Sequence, residues 1–216
     1  MRINKYVAQA SGLSRRAADE AIARGRVLVD GTPAQTGQEV GLNAVVTLDS
    51  KPMRIPERAQ TIVFNKPAGY VVSRAGQGSK TIYYLLPPEL HHLKPVGRLD
   101  KNSSGLLLLT TDGKLADQLT HPKYQKEKVY KVTLDKTLTP EDQAKIEQGI
   151  PVENYISRLR LGKIGDYTWQ VTMSEGRNRQ IRRTFAALGY EVQKLHRTQF
   201  GSYNVHHIRA GQWERR

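Results

Sequence analysis

Cysteine is absent from the 216-residue chain, which removes disulfides, thiolate nucleophiles and cysteine-based zinc sites together. Long apolar runs are missing as well. Nothing approaches the roughly 18 residues that a membrane-crossing helix needs, and Met1-Arg2-Ile3-Asn4-Lys5 has no hydrophobic stretch of the signal-peptide kind. A soluble cytoplasmic protein that stays off the membrane is the resulting expectation. Acid is scarce: 20 Asp and Glu stand against 34 Lys and Arg, a formal net charge of +14. Mixed charges would serve solubility, so an excess of this size points to a polyanionic partner, most commonly nucleic acid. Metal ligands are few. The pairs His91-His92 and His206-His207 are adjacent, and neighbours on a strand face opposite sides, so neither pair chelates well and no metal is expected. A cofactor signature is also lacking. Gly76-Gln77-Gly78-Ser79-Lys80-Thr81 looks faintly like a phosphate-binding loop, but Ser79 stands where a glycine should precede the lysine. It reads as a flexible basic loop.

The charge excess is uneven. Residues 1–58 hold 9 basic and 6 acidic side chains, net +3, which leaves +11 for residues 59–216. Within residues 1–48, Ile3, Val7 and Ala10 recur at helical spacing up to Gly12. Ser14 is a natural N-cap for a second helix over Arg15–Arg24, which Gly25 stops. Arg26-Val27-Leu28-Val29 then reads as a strand running into an Asp30-Gly31 turn, and Val40 with Val45–Leu48 suggests a further strand pair. This stretch is similar to the S4-type RNA-binding domain, through Leu13-Ser14-Arg15-Arg16-Ala17 and Gly25-Arg26-Val27-Leu28-Val29-Asp30-Gly31. Arg15 and Arg16 oppose the helix macrodipole where they stand, a local cost that a bound phosphate would offset. Residues 49–58, with Pro52 and Pro56 and no periodicity, are expected to be a linker.

In residues 59–216, Thr61–Phe64 reads as a strand, Asn65-Lys66-Pro67-Ala68-Gly69 as a turn, and Tyr70–Ser73 as resumed extended chain. Gly97-Arg98-Leu99-Asp100-Lys101-Asn102-Ser103-Ser104-Gly105 then leads into Leu106–Leu109, a run short enough to be a strand buried on both faces. An exposed turn is the ordinary fate of a loop aspartate, but Asp100 sits where a carboxylate can be partly desolvated and still reachable. Lys114–Leu119 reads as a short helix. From Val129 to Leu134 the pattern alternates, giving a strand with one buried face. Thr139-Pro140-Glu141-Asp142 opens a helix that Gly149 ends, and residues 150–173 read as strands. In Ser174–Phe185, Gly176 breaks the preceding strand, and Ile181, Phe185 and Leu188 mark the core face of a helix ending at Gly189. Arg179, Arg182 and Arg183 fall within about one turn and repel one another unless anions lie between them.

Several of these segments, in this order, resemble the RsuA/RluB/RluF-type pseudouridine synthases, over nearly the whole chain. The matching residues are Asn65-Lys66-Pro67-Ala68-Gly69, Gly97-Arg98-Leu99-Asp100 with Ser104-Gly105-Leu106-Leu107, and Glu127-Lys128 with Tyr130 and Val132. Arg177-Asn178-Arg179-Gln180-Ile181-Arg182 and Gly211-Gln212-Trp213 complete the series. Val129 departs from a glutamate common in the tyrosine motif. The resemblance implies an α+β chain: a small S4-like domain of two helices and a hairpin, then a mixed, mostly antiparallel sheet flanked by helices. It further implies Asp100 as the catalytic carboxylate, Arg182 as its ion-pair partner, and Tyr130 and Leu195 as walls against the target base. No cofactor is expected. Lys5, Arg15, Arg16 and Arg26 in the first domain are expected to contact RNA, as are Arg98, Lys101, Arg177, Asn178, Arg179, Arg183 and Arg197 in the second.

The implied reaction isomerises a uridine to pseudouridine in ribosomal RNA, with large-subunit 23S RNA near the peptidyl-transferase region favoured. Small-subunit RNA and tRNA stay open, and a monomer is expected. The residues alone leave two other classes open. One is a non-catalytic RNA-binding or ribosome-assembly protein. The other is a sugar hydrolase, which would need a second acid close to Asp100, with Asp112 the candidate.

Overall fold

The computed structural model describes residues 1–41, 43–56, 58–76 and 78–216. Glu57 of the expected linker and Gln77 of the Gly76–Thr81 loop lie outside the described residues. The chain divides into two units, Met1–Gln60 and Thr61–Arg216.

In the first unit α1 (Ile3–Ser11) ends at Gly12, whose φ of 77° only glycine adopts without strain. Ser14 caps α2 (Arg15–Ala23), its side chain accepting from the Ala17 N–H. Val27–Val29 (β1) turns through Asp30 and Gly31, both at positive φ, into Thr32–Pro33 (β2). The partner of Val46–Leu48 (β3) is Lys51–Met53 (β4), joined through Asp49 and Ser50, again at positive φ. Val40 is a core residue here and not the expected strand partner. The stretch 49–58 therefore opens as the last strand of the sheet β2-β1-β3-β4 rather than as a linker. Pro52 is tolerated because β4 lies at the sheet edge, and the Tyr6 hydroxyl donates to Met53 O at 3.0 Å. Ile3, Val7, Ala18, Ile22, Val27 and Val46 form this unit's own core.

The second unit is built on one mixed sheet. Its strands are β5 (Thr61–Lys66), β6 (Lys94–Pro95), β7 (Ser104–Thr110), β8 (Lys128–Leu134), β9 (Ile150–Val152) and β10 (Tyr155–Ser157). They continue with β11 (Arg160–Lys163), β12 (Thr168–Met173), β13 (Val192–Phe200), β14 (Tyr203–Asn204) and β15 (Trp213–Arg215). Among the described residues the order is β11-β12-β8-β13-β7-β5-β15, with β14 on β13 and β6 on β7, while β9 and β10 pair separately. Among the described strands, β13 and β7 are the one parallel pair. Helices α3 (Gly113–Thr120), α4 (Pro140–Gln148) and α5 (Gln180–Ala186) flank it.

Leu106–Leu109 are fully buried at the middle of this sheet and feed two cores in alternation. Leu107 and Leu109 join Phe64, Tyr130, Val132 and Leu195 on one face, whereas Leu106 and Leu108 join Val63, Leu119 and Phe200 on the other. Each such leucine contributes up to roughly 2 kcal/mol. Gly105 lets β7 and β13 meet: at φ 104°, an added Cβ would stand 2.2 Å from Arg197 O. Two expectations shift. Asn65 and Lys66 belong to β5, so the turn starts at Pro67. Both side chains find main-chain acceptors inside the protein, Asn65 Nδ2 on Ile208 O at 2.7 Å. The expected extended stretch Tyr70–Ser73 contributes only a single bridge, Val71 to Thr81.

Candidate active site

Asp100 lies in the loop that enters β7, at the edge of a cavity of about 1520 Å³. The cavity also takes in Arg98, Lys101, Tyr130, Arg177, Asn178, Arg179 and Leu195. Tyr130 (β8) and Leu195 (β13) stand on neighbouring strands, both largely buried with only part of the side chain facing the opening. Asp100 itself keeps 36% of its side-chain surface, partly desolvated yet accessible.

The carboxylate's ion-pair partner is Arg179, not Arg182: Arg179 Nη1 lies 3.6 Å from Asp100 Oδ2. Arg179 precedes α5 with φ 51°, and this left-handed turn throws its side chain toward the cavity. Arg182, one turn on, aims its donors at backbone instead. Nη1 donates to Val192 O and Nη2 to Asn102 O at 3.1 Å, while Nε is buried without a partner. Burial, helped by the adjacent Arg179, pulls the Arg182 guanidinium below its ordinary range, with Asp100 opposing.

Sequence reasoning missed Lys66. Its side chain is wholly buried at the end of β5, and Nζ donates to the carbonyls of Pro67 (3.0 Å), Asp100 (3.2 Å), Lys101 (3.5 Å) and Ser103 (2.7 Å). With Arg182 on Asn102, every carbonyl from Asp100 to Ser103 accepts a hydrogen bond from one of two cations. The loop is further tied by Gly69 N donating to Lys101 O at 2.7 Å. Burial pulls the Lys66 ammonium down to about 8, and the Asp100 carboxylate works against that. The available signal was a lysine two residues after the apolar run Thr61–Phe64 and directly before Pro67.

The remaining expected sites divide. Arg15 and Arg16 are exposed at the start of α2, although Arg15 also reaches Asn4 Oδ1 at 3.4 Å, and Lys5 is half-buried. Arg26 is committed to Asp49 through two hydrogen bonds, and Arg183 to Glu153 and Asn178. Arg197 is 3% exposed, so it belongs to the wall of the cavity and not to an open basic face. Asp112 caps α3, accepting from Lys114 N and Leu115 N, and does not line the cavity. The second acid of a hydrolase is not supplied by that residue.

Residues 60–187 match the family described as RNA pseudouridylate synthase, and residues 1–46 match the S4 domain. The chain belongs to the RNA pseudouridine synthase family. It is 34% identical to a protein of Aquifex aeolicus named as an uncharacterized RNA pseudouridine synthase, over 99% of this chain and 89% of that one. It is 33% identical to the dual-specificity RNA pseudouridine synthase RluF of Escherichia coli, over 99% and 74%. It is 35% identical to the ribosomal large subunit pseudouridine synthase B of Xanthomonas campestris, over 94% of this chain but 44% of that protein. A crystal structure of a pseudouridylate synthase superposes with a TM-score of 0.72 at 32% identity, covering 100% of this chain and 96% of the other. The chain is therefore an RNA pseudouridine synthase, an isomerase acting on RNA, with an S4 domain at its N-terminal end. Among the described residues no helix is long and apolar enough to cross a membrane.

Proposed function

We propose that the Asp100 cavity takes a uridine flipped out of large-subunit ribosomal RNA and isomerises it to pseudouridine, with Asp100 as the reacting carboxylate. The observation that carries this reading is the gathering of Asp100, Arg179, Tyr130 and Leu195 around one cavity. In the reaction the C1′–N1 bond breaks, the uracil turns while held, and C5 bonds to C1′. N1 gains a proton and C5 loses one, so neither an oxidant nor a group donor is needed. A carboxylate beside the sugar either attacks C1′ or stabilises the cation that forms there. Tyr130 offers a flat ring and a hydroxyl to the detached base, and Leu195 closes the opposite wall. Extracting the nucleotide costs a few kcal/mol, which cationic contacts to the strand offset. All these groups come from one chain, which suits a monomer.

Two arginines then have separable roles. Arg179→Gln removes a half-exposed ion pair and is expected to lower kcat/KM only about fivefold. Arg182→Met frees the Asn102 and Val192 carbonyls and is expected to cost more, about 30-fold. Steady-state rates on the same RNA check the order. The large-subunit substrate is supported by the Xanthomonas relative, which is named a ribosomal large subunit pseudouridine synthase. Unmodified 23S, 16S and tRNA transcripts, incubated with the enzyme and mapped for pseudouridine, test it. New pseudouridine in 23S RNA alone is the expected result; modification confined to 16S RNA or to tRNA would overturn the assignment.

A further inference from the structure

Two cations in the cavity wall have no carboxylate within ion-pair distance among the described residues. Lys128 on β8 directs Nζ at the carbonyls of Lys126 (3.4 Å), Ser174 (3.0 Å) and Glu175 (3.3 Å). Arg197 on β13 holds one hydrogen bond, Nε to Leu106 O at 2.8 Å, and its buried Nη2 has no partner. Both press on the same ring: Arg197 Cζ is 4.8 Å and Lys128 Nζ 5.3 Å from the centroid of Phe200. They also oppose each other. Burial first, and then Arg197, draws the Lys128 ammonium below its ordinary range, with Glu175 opposing. The Glu175 carboxylate is itself engaged by Arg177 Nε and Gln180 Nε2.

A buried guanidinium with an unpaired edge, facing the half-buried like charge of Lys128, is costly to hold. An anion between them relieves both the repulsion and the missing hydrogen bonds. Arg197 lines the cavity, so its unpaired Nη2 is the donor left for a ligand there. Lys128, Arg197 and Phe200 line the same cavity as Asp100. Tyr130 is the cross-strand partner of Arg197. Lys128 stands two residues from Tyr130 along β8, roughly 6.6 Å away. The position is one step from where the base would lie.

We propose that Lys128 and Arg197 form an anion subsite that takes one phosphodiester of the substrate strand beside the target uridine. Arginine supplies a planar pair of donors for the phosphate, and lysine a point charge. The proposal rests on the reading of the Asp100 cavity as the uridine site.

The test is the salt dependence of binding to a fluorescein-labelled oligouridylate, for the wild type, Lys128→Gln, Lys128→Arg and Arg197→Lys. Thermal melting of each is measured alongside. Losing one phosphate contact makes the slope of log affinity against log salt shallower by about 0.7 in Lys128→Gln. Binding at physiological salt is about tenfold weaker. Lys128→Arg restores the slope. Arg197→Lys keeps a charge in a position where truncation would empty the core, and it binds more weakly with the wild-type slope. An unchanged slope and affinity in a Lys128→Gln protein that melts like the wild type overturns the subsite. If Lys128→Gln does not fold, unchanged affinity in Arg197→Lys does so instead. Inorganic phosphate, compared with chloride at equal ionic strength, separates the two sources of the anion. Specific competition by phosphate with no change of RNA slope assigns the site to free phosphate and overturns the proposal. Tritium release from C5-labelled ribosomal RNA by the wild type reports on the uridine reading separately, since it does not depend on how Lys128 behaves.

Discussion

Lys66→Met is expected to lower kcat about 100-fold in a protein that remains folded. Methionine replaces the buried stem of the lysine but brings no donor to the carbonyls of Pro67, Asp100, Lys101 and Ser103. The loop does not unravel, because Ser103 N still donates to Asp100 O and Gly69 N to Lys101 O. It loosens, and a displacement of about 1 Å at a reacting group costs on the order of 100-fold. The same contact makes the wild type sensitive to pH. With its ammonium drawn down to about 8, Lys66 loses its charge as the pH rises through that value, so kcat falls on an alkaline limb there. Stability moves the other way. Between about 8 and the ordinary value of 10.5 the unfolded chain holds a proton that the folded one has released, so this group adds stability as the pH rises. The combination is diagnostic: activity drops through pH 8 with no accompanying fall in melting temperature from this residue, and Lys66→Met lacks that limb. Rate–pH profiles and melting curves of both proteins check it. A limb that persists in Lys66→Met assigns the titration to another group.

Much of the fold was legible because local chemistry and tertiary demand agree. Ser14 and Thr139 are caps whose side chains accept from the first turn of their helices, and Gly12 ends α1 at positive φ. Leu106–Leu109 read as a buried strand because four leucines in a row leave neither face for water. What failed did so for different reasons, one local and one distant. Lys51–Met53 has a proline at its centre and becomes a strand only because β3 accepts it at an edge. The expected turn at Asn65 and Lys66 is strand because both pair with β7, and all but one of their side-chain acceptors are backbone carbonyls 34 to 143 residues away. Main-chain carbonyls leave no mark in a sequence, so the clamp beneath Asp100 could not be read from side-chain types. The arginine run had a similar ambiguity. Spacing brings Arg179 and Arg182 together, but the positive φ of Arg179 decides which of them faces the carboxylate.

The larger effect belongs to Asp100. Asp100→Asn keeps the size of the side chain, weakens the contact with Arg179 and removes the carboxylate proposed to attack or stabilise C1′. The loop's anchors are to backbone, so the variant folds and binds RNA as the wild type does. Its rate is expected to fall by roughly 10⁴-fold or more, as when a reacting group is deleted from an otherwise intact site. Tritium release from ribosomal RNA labelled at uridine C5 measures this directly, because isomerisation must expel the C5 hydrogen whatever the target position. Release by the wild type, with none above background from Asp100→Asn at equal RNA occupancy, is the predicted result. Comparable release from the two proteins would contradict the central claim and move the chemistry to another group in the cavity.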